Sequence, residues 1–317
     1  MNTKQEYRSW ANERLEDLPL FLQPWLLDAV CLDAWDIALF RNKDNKLIGA
    51  LPYFIFRKNG IKIIGMPYLV PYMGVYIDYP ANQKRTTSYE FEKEVLTGLI
   101  AQIPTSVYLQ QKFFPEYTYG LPFFWKGYRL DWRYTYHLSL RQTEEAIWEN
   151  MEGSARTQLL KTMKVVTIEN SDDTQNAYRL VSMTFSRQSL KVPYRLEEFE
   201  RMYKAIKEKF AGSLYIARLK ETNIPVATMF MVKDKLKVYN LVLGRDHHLD
   251  PGGSIHGILW KCIQEHIGKH EVFDFEGSML EGPERMFRSF GSIRMPVLQV
   301  TRFKNNLWRS IFAITGR

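Results

Sequence analysis

Hydrophobic and polar positions divide the first 140 residues into strands and one helix. Apolar residues crowd segments 35–41 and 46–56, and the polar segment 42–45 between them predicts a β-hairpin. Helical spacing appears over 88–102, where Ser88 is the candidate N-cap. Further strands are predicted at 61–65, 73–77, 107–113 and 134–140.

The pattern changes after residue 140. Thr143 and Ser154 are candidate N-caps for helices that run to Asn150 and Lys164. The remaining helices are predicted at 173–188, 196–210, 254–267 and 282–289. The remaining strands are predicted at 213–220, 226–233, 236–243, 271–276 and 295–303. The two halves share an order of elements, which predicts mixed α/β sheets in two tandem domains, 1–140 and 141–317.

Composition places the 317-residue chain among ordinary globular proteins, with 45% hydrophobic and 25% charged residues. Aromatic residues reach 14%, enough to fill a core and still line a pocket. The formal net charge is +8, and most of the excess lies after residue 140. A basic half-chain indicates an anionic partner, such as a phosphate-bearing molecule or a nucleic acid.

Several protein classes lack support in the sequence. Two cysteines, Cys31 and Cys262, cannot build a disulfide framework. His266 and His270 are four residues apart, but Gly268 lies between them and no glutamate accompanies them, so no metal is expected. No apolar run approaches the ~20 residues of a membrane span, and no signal-peptide core opens the chain. We therefore expect a soluble, cytoplasmic protein; its oligomeric state stays open.

Two segments could bind phosphate. Segment 251–256 follows a strand and opens a helix, the arrangement in which backbone N–H groups and the helix dipole hold anions. A glycine turn capped by Ser254 explains the same residues equally well. Segment 154–164 is a basic amphipathic helix, for which a solvated face is the alternative.

The densest group of charged residues lies in segment 273–291. A strand with Phe273 and Phe275 facing inward ends at a loop that carries acids and arginines. A polar site at a sheet edge fits this pattern, and so does a surface turn with weak ion pairs.

The motifs of this segment resemble those of a known protein family. Phe273-Asp274-Phe275-Glu276-Gly277-Ser278, followed by Phe287-Arg288-x-Phe290-Gly291, resembles the C-terminal signature of the Fem-type branch of the GNAT acyltransferase superfamily. Segments 67–74, 121–128 and 133–140 also resemble its N-terminal half. The resemblance covers nearly the whole chain and implies two tandem GNAT-like domains, of which the second carries the donor site.

The resemblance implies transfer of an acyl group from acyl-CoA, or a similar phosphate-bearing donor, to a small amine acceptor. Arg288 is then the candidate cation that stabilises the carbonyl, and Glu276 is the candidate base. Fem-type enzymes usually have lysine where Arg288 stands. The residues expected to hold the donor phosphates are Gly252, Gly253, Ser254, Lys161 and Lys164. The residues expected in the substrate pocket are Tyr194, Tyr239 and Glu284.

Two other functions stay open. The first is an aminoacyltransferase that takes its group from aminoacyl-tRNA and acts on a peptidoglycan precursor. The second, from a different class, is a non-catalytic protein that keeps the fold and binds RNA or another anion through its basic half.

Overall fold

Two units make up the chain in the computed structural model, which describes residues 2–58 and 60–314. Unit 1 comprises Met1–Arg133 with Pro296–Arg317, and unit 2 comprises Tyr134–Met295. These bounds differ from the domains 1–140 and 141–317 expected above, whose termini include residues outside the described part. The difference arises because the last strand of the chain pairs with a strand of unit 1.

Unit 1 is a mixed sheet with helices. Its helices are α1 (Thr3–Asn12), α2 (Pro24–Cys31), α3 (Arg85–Gln102), α4 (Leu121–Trp125) and α11 (Asn306–Ile314), with a short 3-10 helix at Leu20–Leu22. Its strands are β1 (Trp35–Arg41), β2 (Leu47–Lys58), β3 (Ile61–Gly65), β4 (Tyr76–Ile77) and β5 (Tyr108–Lys112). Strands β6 (Arg129–Ser139) and β12 (Ile293–Phe303) belong partly to this unit.

Pairing in unit 1 is antiparallel from β1 through β2 to β3, parallel from β3 to β5, and antiparallel from β5 to β12. The short β4 pairs with β2. Helix α3 buries Val95, Leu96 and Leu99 against this sheet. Its N-cap is Lys84 rather than the predicted Ser88, because the N–H of Ser88 already donates to the Lys84 carbonyl within the first turn.

Unit 2 has the same mixed character. Its helices are α5 (Glu144–Asn150), α6 (Gly153–Val165), α7 (Thr174–Arg187), α8 (Leu196–Glu208), α9 (Ser254–His266) and α10 (Glu281–Arg288). Its remaining strands are β7 (Val166–Asn170), β8 (Gly212–Leu219), β9 (Pro225–Lys233), β10 (Lys237–Arg245) and β11 (Val272–Asp274). Strands β7 to β10 are antiparallel in sequence order, β10 and β11 are parallel, and β11 is antiparallel to β6.

Local signals explain several element ends in unit 2. Thr143 caps α5 as predicted, accepting a hydrogen bond from the Ala146 N–H at 3.2 Å. Helix α6 begins two residues earlier than expected, with Glu152 at the N-cap position in place of Ser154. Strand β11 stops at Asp274, two residues before its predicted end, since Glu276 has φ 50°, a left-handed conformation that a strand does not use.

The core of unit 2 lies between the sheet and helices α6 and α9. Its largest members are aromatic and include Phe273, Phe275, Phe287 and Phe290, all nearly inaccessible to solvent. The motif Phe-Asp-Phe thus supplies two core side chains and leaves Asp274 on the opposite face. This core fixes the start of α9 and the start of α10 relative to the end of β10.

Candidate functional site

The parallel strands β10 and β11 separate after a short stretch of pairing. Their register runs from Lys237 opposite Val272 to Tyr239 opposite Asp274, where β11 ends, while β10 continues to Arg245. A register shift in β10 follows directly, between Asn240 and Val242. Within the described residues, the last part of β10 therefore has no strand partner on the β11 side.

A cavity of about 570 Å³ lies at this end of β10. Its apolar wall consists of Leu243, Ile255, Pro283, Met286 and Phe287. Its polar lining consists of Gln158, Thr184, Arg187, Gln188, Arg245, His247 and His256. We call it the β10 cavity. Its apolar wall with a few convergent polar groups is typical of a site for a small organic molecule.

The cations of the β10 cavity are organised by hydrogen bonds. Arg187 Nη1 donates to His247 Nδ1 at 3.2 Å, and Arg245 Nη1 lies 3.5 Å from Asp250 Oδ2. Burial and the two nearby arginines lower the pKa of His247, so the ring is neutral near pH 7. Because a guanidinium only donates, Nδ1 accepts and His247 carries its proton on Nε2.

The glycine loop before α9 is packed tightly against α6. Gly252 and Gly253 both have φ 89°, a conformation in which other residues are strained. A Cβ at Gly253 would also lie 2.5 Å from Thr162 Oγ1 and 2.8 Å from Gln158 Cγ. The Thr162 hydroxyl donates to the Gly252 carbonyl. The two glycines therefore hold this loop close to the helix.

The start of α9 is occupied by a carboxylate of the chain itself. Asp250, whose side chain is 2% exposed, accepts hydrogen bonds from Ser254 Oγ at 2.5 Å and from the Gly252 N–H at 3.2 Å. Ser254 is fully buried. The Ser254 hydroxyl points to Asp250, and Ser254 lines none of the three cavities of this unit. Its position does not support the phosphate-binding role expected for it.

A second cavity, of about 650 Å³, lies between α6 and the glycine loop. It is lined by Ser154, Thr157, Gln158, Lys161, Thr162, Val165, Pro251 and Gly252. We call it the α6 cavity. Lys161 and Gly252 therefore come together as the sequence suggested, whereas Lys164 lies outside it. Lys161 makes no ion pair with any described residue, which leaves its charge available to an anion.

A third cavity, of about 300 Å³, adjoins α6 and α10. It is lined by Glu152, Ser154, Ala155, Gln158, His256, Gly282, Arg285, Met286 and Ser289. We call it the α10 cavity. Gln158 borders all three cavities, and His256 borders the β10 cavity and the α10 cavity.

Arg288 and Glu284 lie beside these cavities without lining them. Arg288 is half exposed and pairs with Glu284 at 3.3 Å and with Glu152 at 3.9 Å. Glu284 also accepts a hydrogen bond from the Tyr136 hydroxyl at 2.8 Å. Met286, which does line them, is two residues from Arg288, and residues two apart on a helix project to different sides. The structure thus places Arg288 in a surface ion-pair network.

The remaining candidates also lie elsewhere. Glu276 follows β11 and lines none of the three cavities; its N–H donates to Asp274 Oδ1 at 2.8 Å. Tyr194 is 7% exposed and stacks on Phe199, within the core under α7 and α8. Tyr239 is 1% exposed, and its hydroxyl donates to Asp234 Oδ2. Both tyrosines pack in the core rather than in a pocket.

Sequence reasoning missed most of the polar residues of the cavities, among them Arg187, Arg245, His256 and Arg285. The sequence context of two of these four, His256 and Arg285, already pointed to a site. His256 closes the segment that opens α9, and Arg285 belongs to the charged group after β11. Arg187 and Arg245 end a helix and a strand, and only the packing of α7 against β10 brings them together.

Solved structures with the same fold identify the architecture. The chain matches a crystal structure of FemX at 12% identity, with a TM-score of 0.64, over 100% of this chain and 99% of that one. It matches the C-terminal domain of a putative lysylphosphatidylglycerol synthetase from Agrobacterium fabrum at 10% identity, with a TM-score of 0.56, over 98% of this chain and 96% of that one. A tandem GNAT protein from the clavulanic acid biosynthesis pathway matches at 9% identity, with a TM-score of 0.52, over 96% of this chain and 95% of that one.

The fold is that of the Fem-type, tandem GNAT-like proteins. This confirms the resemblance and the mixed α/β fold class expected from the sequence. No protein-family model matches the chain, and no curated protein matches it.

Residues 2–58 and 60–314 contain no group of three or more histidines, cysteines or acids arranged to hold a metal ion. In the same part of the chain, no helix combines the length and the apolar character needed to cross a bilayer.

Proposed function

We propose that this protein transfers an acyl group from a phosphate-bearing donor, such as acyl-CoA, to an amine. The observation that carries the proposal is the β10 cavity, which lies where β10 separates from β11 and combines an apolar wall with arginines. A structural neighbour of the same fold supports it: a tandem GNAT protein, whose structure was determined in the form without AcCoA.

The cavity matches the chemistry of such a donor. Beyond Tyr239, β10 has no partner on the β11 side, so its backbone groups before Arg245 can hydrogen-bond an extended chain. The Arg245 N–H itself donates to Thr184 Oγ1. Arg187, Arg245 and the Nε2–H of His247 can bind anionic oxygens next to that chain. Because Asp250 places a carboxylate beside the start of α9, these side chains, more than the helix N-terminus, would hold the phosphates.

An aminoacyl-tRNA donor is the second candidate. Arg156, Lys161 and Lys164 of α6 make no ion pair with any described residue, so this helix presents a positive surface. A positive surface beyond the cavity favours a polyanion larger than CoA, because each phosphate contact adds affinity through counterion release.

A thermal-shift panel with CoA, acetyl-CoA and tRNA, followed by a transfer assay to an amine mixture, tests the proposal. A ligand at 100 times its Kd stabilises the native protein by about 2.7 kcal/mol. We expect Arg187→Ala to weaken this shift and the exposed Lys204→Ala, which removes the same charge on α8, to leave it unchanged. We also expect binding to weaken between 0.1 and 0.5 M salt. Binding of tRNA without any transfer would favour the non-catalytic alternative.

A further inference from the structure

His256 forms part of the wall between the β10 cavity and the α10 cavity. It lies in the first turn of α9, and its ring stacks on Phe290 with centroids 5.7 Å apart and planes at 17°. Because Phe290 is fully buried, the stack holds the imidazole at one place between the two spaces.

The α10 cavity differs from its neighbour in its charges. Glu152 supplies a carboxylate, Arg285 supplies a guanidinium without an ion pair in the described residues, and Ser154 supplies a hydroxyl. Glu152 has only a long contact of 3.9 Å to the half-exposed Arg288. The volume of about 300 Å³ corresponds to roughly ten water molecules, enough for a small amine with one further polar group.

On the basis of the function proposed above, we propose that the α10 cavity is the acceptor site, that it binds a small zwitterionic amine between Glu152 and Arg285, and that His256 is the base for its ammonium group. Glu152 attracts the ammonium, and Arg285 binds the carboxylate. The donor occupies the β10 cavity, on the other side of His256.

The reaction balances with these groups alone. The bound ammonium gives one proton to His256, and the resulting amine attacks the acyl carbonyl carbon. A C–N bond forms, and the C–S or C–O bond to the donor's leaving group breaks. The leaving thiolate or alkoxide takes the second proton from the new amide nitrogen, and His256 returns the first to solvent.

The surroundings of His256 keep its ring neutral and able to accept that proton. Burial and Arg245 lower the pKa of His256 below 6.5, while Asp250 opposes them. The positive end of α9 acts in the same direction as Arg245. The charged and titratable groups that line the two cavities beside it are Glu152, Arg187, Arg245, His247 and Arg285. Asp250 lines neither cavity and pairs with Arg245.

Acceptor binding can be measured without any transfer, by saturation-transfer NMR with L-alanine as the probe. We expect L-alanine to bind, and propionate and alanine methyl ester, which lack one charge each, to bind less. Glu152→Gln and Arg285→Ala should each weaken L-alanine binding about tenfold. The exposed Glu149→Gln serves as the matched control and should bind like the parent. If L-alanine does not bind, or if Glu152→Gln binds like the parent, the acceptor site is overturned.

Transfer then tests the base. With the donor found above, we expect His256→Gln to lower kcat by about 10²–10⁴-fold, the usual contribution of a general base, with the donor-induced thermal shift preserved. In the parent protein, kcat/KM should rise as the pH increases in the range below 6.5. The pH profile of the His256→Gln variant should lack this rise. His248→Gln, in the exposed loop before α9, should behave like the parent.

The outcomes separate the two proposals. Binding of L-alanine without transfer from any donor would overturn the proposed function and leave the acceptor site standing. Transfer that His256→Gln performs at the parental rate would overturn the base and leave the function standing.

Discussion

His137 Nε2 lies 3.1 Å from Asp274 Oδ2, and the Asp274 side chain is completely buried. Asp274 also accepts hydrogen bonds from the Thr135 hydroxyl and from the Glu276 N–H. The second residue of the Phe-Asp-Phe motif therefore ties β11 to β6 through polar contacts, on the face opposite its two core phenylalanines.

Asp274→Ala should destabilise unit 2 strongly. Three donors would lose their acceptor inside the protein, and each buried group left without a partner costs about 1–3 kcal/mol. We therefore expect a loss of at least about 3 kcal/mol in the free energy of unfolding, measured with urea. Asp172→Ala, at an exposed aspartate with surface contacts, is the control and should destabilise the protein much less.

The same aspartate predicts a pH dependence. Burial alone raises the pKa of Asp274, but hydrogen bonds from His137, Thr135 and the Glu276 N–H outweigh it and lower the pKa below 3.8. An acid with a lower pKa in the folded chain stabilises the fold above its unfolded pKa, and this contribution is lost as pH falls through the folded value. The stability difference between the parent and Asp274→Asn should therefore shrink below about pH 4. A difference that grows on acidification would contradict this.

Two glycines after β11 should respond differently to alanine. A Cβ at Gly277 would lie 1.8 Å from the Tyr134 carbonyl oxygen and 2.4 Å from Thr135 Cα, both backbone atoms of β6. Gly282, in the first turn of α10, has no such neighbour within 4 Å. We expect Gly277→Ala to unfold or severely destabilise the protein and Gly282→Ala to gain up to about 1 kcal/mol. Equal melting temperatures would refute the close approach of Gly277 to β6.

Arg285 and Arg288 offer a matched pair on one helix. Arg285 lines the α10 cavity, whereas Arg288 makes half-exposed ion pairs with Glu284 and Glu152. We expect Arg288→Ala to cost at most about 1 kcal/mol of stability and to keep transfer activity. Arg285→Ala should raise the KM for the amine. The reverse result, with transfer lost only in Arg288→Ala, would restore the catalytic role that the resemblance implied for Arg288.

Both thiols should be unreactive in the folded protein. Cys31 is 5% exposed and Cys262 is fully buried, and burial raises the pKa of Cys262 far above its usual range. Since the thiolate is the reactive form, a thiol reagent should label neither cysteine in buffer and both in denaturant. Rapid labelling of native protein would show that one of these cores opens easily.

Local patterns predicted most of the elements. Strand 35–41 and the helix capped by Thr143 agree with the structure, because alternation and capping act within a few residues. Strand β7 was missed, since it follows α6 directly with no turn residue to mark it. The end of β11 was missed because it depends on the contact of Gly277 with β6, 142 residues earlier in the chain.

The candidate site was predicted less well, for a physical reason. Lys161 and Gly252 were found because each lies in a local motif, a basic helix and a glycine loop. The family resemblance pointed to Arg288, but a motif does not reveal which side of a helix faces a cavity, and it is Arg285 that lines one. The contacts of Asp250 with Ser254 and Gly252 could not be predicted either, because spacing alone does not specify side-chain hydrogen bonds.

The pairing of β12 with β5 has a consequence for biosynthesis. Gln299 lies opposite Lys112, so β5 acquires this neighbour only after all of unit 2 has been synthesised. At 5–20 residues per second, the wait is roughly 10–40 s. During that time the nascent chain carries a strand edge open to pairing with other chains, which is a hazard for aggregation. We expect unit 1 to finish folding last and a ribosome stalled before residue 296 to expose this edge to chaperones.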